Sequence, residues 1–275
     1  MGTGLYLTIL TRGVQFRWRG KALREVLGKV FTKTHAEGTV TPFPAVATAL
    51  GVILVTHADR LPAVVETVLS SAFTGHAALG GFAGAGVMQA LRFGVARGLF
   101  SNEAGLGSAP MVHATARTDH PVRQGLYGIF EVFVDTILVC ASTGLVVLVT
   151  GEWSNGLTGA ALAAKAFETG LPGVWGDIVV TTGILTFAFS TLLGWSFYGE
   201  TAIAYLLGTK VILPYRLLWL VAAYVGATGS LHVVWDVADT LNGLMALPNL
   251  VALLLLSPVV ARSLRDFVAR ERARG

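Results

Sequence analysis

Charge is scarce in this chain: Asp, Glu, Lys and Arg together make up 13% of its 275 residues. A soluble domain of this length needs more polar surface than that, so the shortage excludes an ordinary water-soluble enzyme core. Cysteine is nearly absent. The lone Cys140 lies inside an apolar run and cannot build a disulfide framework, and the six histidines show no ligand spacing, which argues against a structural metal. The small basic excess of +4 is confined to short loops and the tail rather than spread along one face, which argues against nucleic-acid binding. No cleavable leader is expected, because the first ten residues lack a basic leading region and a small-residue cleavage site.

What is present is apolar: 53% hydrophobic residues and a mean hydropathy of +0.66 place the chain among integral membrane proteins. Segments long enough to cross a hydrocarbon core of ~30 Å lie near residues 127–150, 178–207, 215–228 and 233–261. The expected fold class is an all-α membrane protein. The stretch 77–116 is less regular, with Gly80, Gly81, Gly84 and Gly86 opening it and Arg92 and Arg97 interrupting it. It reads as one discontinuous crossing built from two half-helices. Residues 43–56 supply only 14 apolar or small positions, about 21 Å of helix, too few to span comfortably.

Basic residues set the orientation, since short basic loops stay cytoplasmic. Seven lie between Arg12 and Lys33, Arg117 and Arg123 follow the broken helix, Lys210 and Arg216 flank a later turn, and five crowd the end from Arg262 to Arg274. The opposite loops carry Arg60 and Lys165. The alternation is consistent with a cytoplasmic C-terminus. The expected division of the chain is an N-terminal segment 1–51, an outer-side connection 52–76, a helical core 77–261 and a basic tail 262–275, the first boundary being one that the family resemblance given below implies.

The polar interruption Gly98-Leu-Phe-Ser-Asn-Glu-Ala-Gly-Leu-Gly-Ser-Ala-Pro110 holds the most chemistry. A bilayer tolerates open backbone only where protein or a wet cavity encloses it, so freed amides and carbonyls here are candidates to hold a small polar solute. Ser101, Asn102, Glu103, Gly105 and Gly107 form the first-choice contact set; the plainer reading pairs Glu103 with Arg97 or another helix and uses the glycines for close helix packing. A hydrolase reading of Ser108 with His113 lacks a third orienting group. Glu131 and Asp135, four residues apart, share a helix face and serve either ion coupling or pairing with Arg92, Arg97 or Arg123. Asp236, Asp239 and Asn242 read as interhelical hydrogen-bonding groups. Gly81-Phe-Ala-Gly-Ala-Gly86 follows no strand and lacks the Lys-Ser/Thr of a phosphate loop.

The run 98–110, together with His120-Pro-Val-Arg-Gln-Gly125, Phe133-Val-Asp-Thr-Ile137, Ala188-Phe-Ser-Thr-Leu-Leu-Gly-Trp-Ser-Phe-Tyr-Gly-Glu200 and Leu244-Met-Ala-Leu-Pro-Asn-Leu250, resembles the sodium:alanine (alanine or glycine:cation) symporter family. The likeness covers most of the chain from about Ile53, and Gly2-Thr-Gly-Leu-Tyr-Leu-Thr8 resembles the family's beginning. The resemblance implies a LeuT-like fold of two inverted five-helix repeats, the second nearly complete and the first almost absent between Ala49 and Val52. An internal deletion, a gene-model error and a natural remnant are each compatible with that jump. The implied activity is sodium-coupled symport of alanine or glycine across the cytoplasmic (inner) membrane by alternating access. No covalent chemistry and no cofactor beyond the sodium ion are expected. The partners it implies are the small amino acid, the ion, membrane lipid and, in the alternative of a transport-incompetent remnant, a full-length homologue. It also brings in Trp195 as a substrate contact, with an ordinary packed tryptophan as the plainer reading, and Ser190 and Thr191 as sodium ligands.

Overall fold

The computed structural model describes residues 2–18, 20, 43–73 and 82–274, and no strand occurs among them. In chain order the helices are α1 (Gly2–Leu10), α2 (Val14–Arg17), α3 (Phe43–Thr56), α4 (Leu61–Phe73), α5 (Phe82–Asn102), α6 (Ala109–His113), α7 (Pro121–Val132), a π-helical segment (Phe133–Cys140), α8 (Ala141–Thr150), α9 (Gly159–Gly170), α10 (Trp175–Leu207), α11 (Ile212–Thr228) and α12 (Leu231–Arg274). Four stretches among the described residues are long and apolar enough to cross a membrane: Pro121–Thr150, Trp175–Leu207, Thr209–Thr228 and Leu231–Ala273. These contain the four expected spans. The last helix runs on through the basic end, so residues 262–274 continue α12 rather than forming a separate tail.

Residues 43–56 do form a short helix, and the chain then bends by 96° into α4. The stretch expected as a connection therefore carries a helix of its own. Gly84 and Gly86 lie inside α5, which runs unbroken past Arg92 and Arg97 to Asn102; Gly80 and Gly81 fall outside the described residues. The break comes after Asn102, and the helix beyond it has only five residues.

The chain divides into two compact units. One joins 37–98 with 135–195 and has a core of Ala49, Leu50 and Ile53 from α3, Val146 and Val149 from α8, Ala166 and Phe167 from α9, and Val180 from α10. Ile53 is wholly buried. Its side chain fills the space beside Gly170, where an added Cβ would approach within 2.7 Å. Gly176 is tighter against backbone, since an added Cβ there would stand 2.5 Å from the Phe167 carbonyl oxygen, so these helices meet where a side chain is missing. Arg60 donates to the Val149 carbonyl at 3.1 Å and satisfies one of the orphan acceptors that close α8.

The other unit joins residues 1–36, 99–134 and 196–275. Here α7 lies on α12, with Leu126 and Phe267 buried and the Trp18 ring tilted by 47° at 5.4 Å from the Phe267 ring. His120 caps α7 by accepting from the Val122 amide at 3.2 Å, and Pro121 follows at the first helical position, where its missing N–H costs nothing. α12 contains Pro248 and Pro258. Pro258 cannot donate to the Leu254 carbonyl, and the buried Ser257 hydroxyl donates there at 2.7 Å instead. With its proton so used, Ser257 accepts from the Tyr6 hydroxyl at 3.3 Å, which ties α1 to α12. α10 and α11 meet at Gly199, whose missing side chain leaves room for the Tyr215 ring, and Arg216 grips Glu200 through two hydrogen bonds of 2.7 and 2.9 Å.

Candidate functional site

Between α5 and α6 the backbone leaves the helix for six residues, 103–108. Glu103 begins the departure at φ 54°, a left-handed conformation rare for a residue with a side chain, and Gly105 and Gly107 follow at φ 88° and 87°. Two local bonds hold the turn. Asn102 Oδ1 accepts from the Ala104 amide at 2.9 Å, and the Leu106 amide donates to the Glu103 carbonyl at 3.2 Å. The amides of Gly105 and Gly107 find no acceptor among the described residues, although both glycines are half-buried. Such unpaired donors are costly away from water and are available to an anionic group.

The Glu103 side chain turns back over the loop. Its Oε2 accepts from the buried Ser108 hydroxyl at 2.7 Å, and Tyr198 of α10 is a further hydrogen-bonding neighbour of the same carboxylate. Of the two plainer pairings expected for Glu103, the one with another helix is present, through Tyr198. Leu106 is buried and anchors the middle of the loop. The Asn249 side chain of α12 lies so close to Gly107 that an added Cβ would sit 3.3 Å from it.

Ser108 and His113 do not combine as nucleophile and base, because each has another partner. His113 Nδ1 meets the Gln124 amide at 2.9 Å and Nε2 meets Glu131 Oε2 at 3.1 Å. With the Gln124 amide nitrogen donating to Nδ1, the ring hydrogen sits on Nε2 and is donated to Glu131. Glu131 thus pairs with a histidine rather than with Arg92, Arg97 or Arg123. Arg123 is held by Asp119 at 2.9 Å and Glu271 at 3.4 Å. Asp135 lies in the π-helical segment, whereas Glu131 lies in the last α-helical turn before it. Its carboxylate accepts from Thr136 at 3.4 Å and approaches the Cys140 thiol at 4.0 Å.

Of the residues expected at the site, Ser101, Asn102, Glu103, Gly105 and Gly107 lie together in the one unit, with Ser101 exposed at the end of α5. Ser190, Thr191 and Trp195 belong to the other. Ser190 donates to the Phe187 carbonyl of its own helix at 3.0 Å, Ser190 and Thr191 are both exposed, and Trp195 is half-buried. Sequence reasoning did not bring Tyr198 or Asn249 to the break. Both stand in quoted motifs, Asn249 directly after the helix-interrupting Pro248, yet nothing in their spacing says which loop they face.

The family description "Sodium:alanine symporter family" matches residues 46–275. The chain is 44% identical over 248 residues to a transporter from Haemophilus influenzae without an assigned substrate, covering 89% of this chain and 54% of that protein. It is likewise 44% identical over 271 residues to the sodium/alanine symporter AgcS of Methanococcus maripaludis, covering 96% and 56%. The probable sodium/glutamine symporter GlnT of Bacillus subtilis is 40% identical over 223 residues, covering 80% and 46%. The chain spans about half the length of the curated relatives it matches.

Proposed function

Since the chain belongs to the sodium:alanine symporter family, we propose that it serves cation-coupled amino-acid symport, with alanine or glycine as the solute and sodium as the driving ion. The break at 103–108 carries this reading. An amino acid zwitterion brings a carboxylate and an ammonium a few bonds apart, and the loop offers complements to both. The unpaired Gly105 and Gly107 amides suit the carboxylate, and the Glu103 carboxylate, steadied by Ser108, suits the ammonium. Asn102 shapes the turn and Ser101 lies at its exposed edge. A left-handed Glu103 and two left-handed glycines keep the peptide groups from winding back into helix.

Trp195 would wall a small substrate, and the Ser190 and Thr191 hydroxyls would contribute oxygen to sodium, within a LeuT-like arrangement working by alternating access in the cytoplasmic membrane with the C-terminus inside. For sodium, a hard cation that prefers several oxygens, two hydroxyls are an incomplete set.

The test is uptake of labelled alanine into proteoliposomes holding the purified chain, with an inward sodium gradient and with potassium in its place. Uptake that requires sodium and is lost in Glu103→Gln supports the proposal. Uptake no greater than that of empty vesicles overturns it for this chain. The half-length match favours one second reading, in which the chain acts as the partner of a full-length carrier. Co-purification with such a carrier, without uptake by the chain alone, would support that reading.

A further inference from the structure

The N-terminal segment and the end of α12 enclose a groove of about 860 Å³ whose charges do not cancel. Arg12 and Arg17 line it from one side, and Arg265 and Arg272 from the other. All four are exposed, and none has a carboxylate partner among the described residues. The single acidic residue in the lining, Glu271, is engaged with Arg123 at 3.4 Å. Asp266, one turn away, is occupied by Arg270 at 2.9 Å and His120 at 3.3 Å. Four guanidinium groups facing one space repel one another unless an anion lies between them.

The groove is also apolar along its floor, where Leu264 and Val268 of α12 lie with Leu10 and the half-buried Trp18. Its depth follows from the sequence. The apolar run of α12 ends at Ala261, and α1 lies along that run with Tyr6 bonded to Ser257. Past Leu10 the chain turns sharply, with Arg12 at φ 56° and Gly13 at φ 65°, and this turn brings the basic side of the N-terminal segment to the groove. Arg265 therefore stands about one turn past the end of the apolar run and Arg272 about three turns past it, roughly 16 Å along the helix, so the groove opens at the level of the lipid headgroups and continues beyond them.

From this we infer that the groove is a binding site for an anionic phospholipid, its phosphodiester held by Arg12, Arg17, Arg265 and Arg272 and the start of its acyl chains laid on Leu10, Leu264 and Val268. Guanidinium forks match phosphate oxygens in pairs, whereas a free phosphate in water would leave the apolar floor uncovered. The groove thus favours the lipid over the soluble ion.

The test uses the whole purified chain in nanodiscs of phosphatidylcholine alone or with phosphatidylglycerol. Retention of phosphatidylglycerol through delipidation, counted by mass spectrometry, is compared with that of phosphatidylcholine. The expected result is a preference for phosphatidylglycerol of about tenfold or more, lost in Arg12→Gln/Arg265→Gln and in Arg17→Gln/Arg272→Gln. Arg262→Gln, which removes a charge from the same helix outside the groove, keeps the preference. A second measurement needs no variant: the unaltered protein should melt at a higher temperature with phosphatidylglycerol than with phosphatidylcholine, and millimolar inorganic phosphate should not reproduce the gain. Equal retention of the two lipids, a preference that survives in both double variants, or full replacement of the lipid effect by phosphate would each overturn the inference.

Discussion

Ser108 donates its hydroxyl hydrogen to Glu103 across the break, 2.7 Å from Oε2, so the loop between α5 and α6 is closed by its own side chains. The bond is charge-assisted and its donor is buried. Ser108→Ala should therefore destabilise the protein by about 1.5–3 kcal/mol. Glu103→Gln retains an acceptor oxygen for Ser108 and should cost less stability than Ser108→Ala, while removing the charge proposed for the ammonium. Melting temperature and sodium-driven alanine uptake separate the two effects. A Glu103→Gln protein that takes up alanine normally would remove the carboxylate from the substrate site.

Gly105 and Gly107 adopt nearly the same left-handed conformation, but only Gly107 has a neighbour, the Asn249 side chain 3.3 Å from where a Cβ would stand. Gly105→Ala should cost the backbone penalty alone, roughly 1–2 kcal/mol. Gly107→Ala should cost that and the displacement of Asn249. In a double-mutant cycle, Asn249→Ala should recover the excess at Gly107 and leave Gly105→Ala unchanged. Equal destabilisation by the two alanines would show that Asn249 does not constrain the loop.

The position of this break was legible before its geometry. Gly98 to Pro110 stands out because polar and small residues replace apolar ones, and the interruption is where the helix stops. The glycines at 84 and 86 carried no such consequence. A glycine permits a left-handed turn without requiring one, and these two stay helical in α5. The long spans could be read because bilayer thickness imposes a minimum apolar length. The continuation of α12 to Arg274 could not, since helix length beyond the apolar run depends on packing such as Phe267 against Trp18, Leu126 and the His120 ring. The π-helical winding around Asp135 left no trace in a spacing that suits an α-helix equally well. Tyr198 and Asn249 reach the loop through tertiary approach, which residue periodicity along one helix does not encode.

Close packing in the other unit depends on two glycines that differ in what confronts them. At Gly170 an added Cβ meets the Ile53 side chain, which a smaller residue can vacate, whereas at Gly176 it meets the backbone around Phe167 and Glu168. Gly170→Ala should destabilise by about 1–3 kcal/mol and be partly rescued by Ile53→Val. Gly176→Ala should have no such rescue, because no side-chain change moves the carbonyl. Thermal unfolding of the single and double variants tests this, and rescue of Gly176→Ala by trimming Ile53 would contradict the packing described.

Outside the membrane-spanning helices, Glu152 accepts from Thr169 at 2.7 Å and from Asn155 at 2.7 Å, and these bonds, with a smaller attraction from Lys165, hold its pKa below the ordinary glutamate value. A carboxyl whose folded pKa is depressed binds its proton less readily in the folded protein than in the unfolded chain. Its contribution to stability is therefore complete above the ordinary glutamate range and disappears as pH falls through the lowered folded value. Lys165, joined to Glu168 at 3.0 Å, is raised instead, so its contribution is complete below the ordinary lysine value and lost as pH rises through the folded one. Both residues are only partly buried, and solvent keeps the effects small. Glu152→Gln should flatten the acid side of the stability profile and leave the alkaline side unchanged. Thr169→Ala should move the Glu152 titration upward, toward the free carboxylate, in carbon-detected NMR. A titration unmoved by Thr169→Ala would mean that the hydroxyl does not stabilise the charged form.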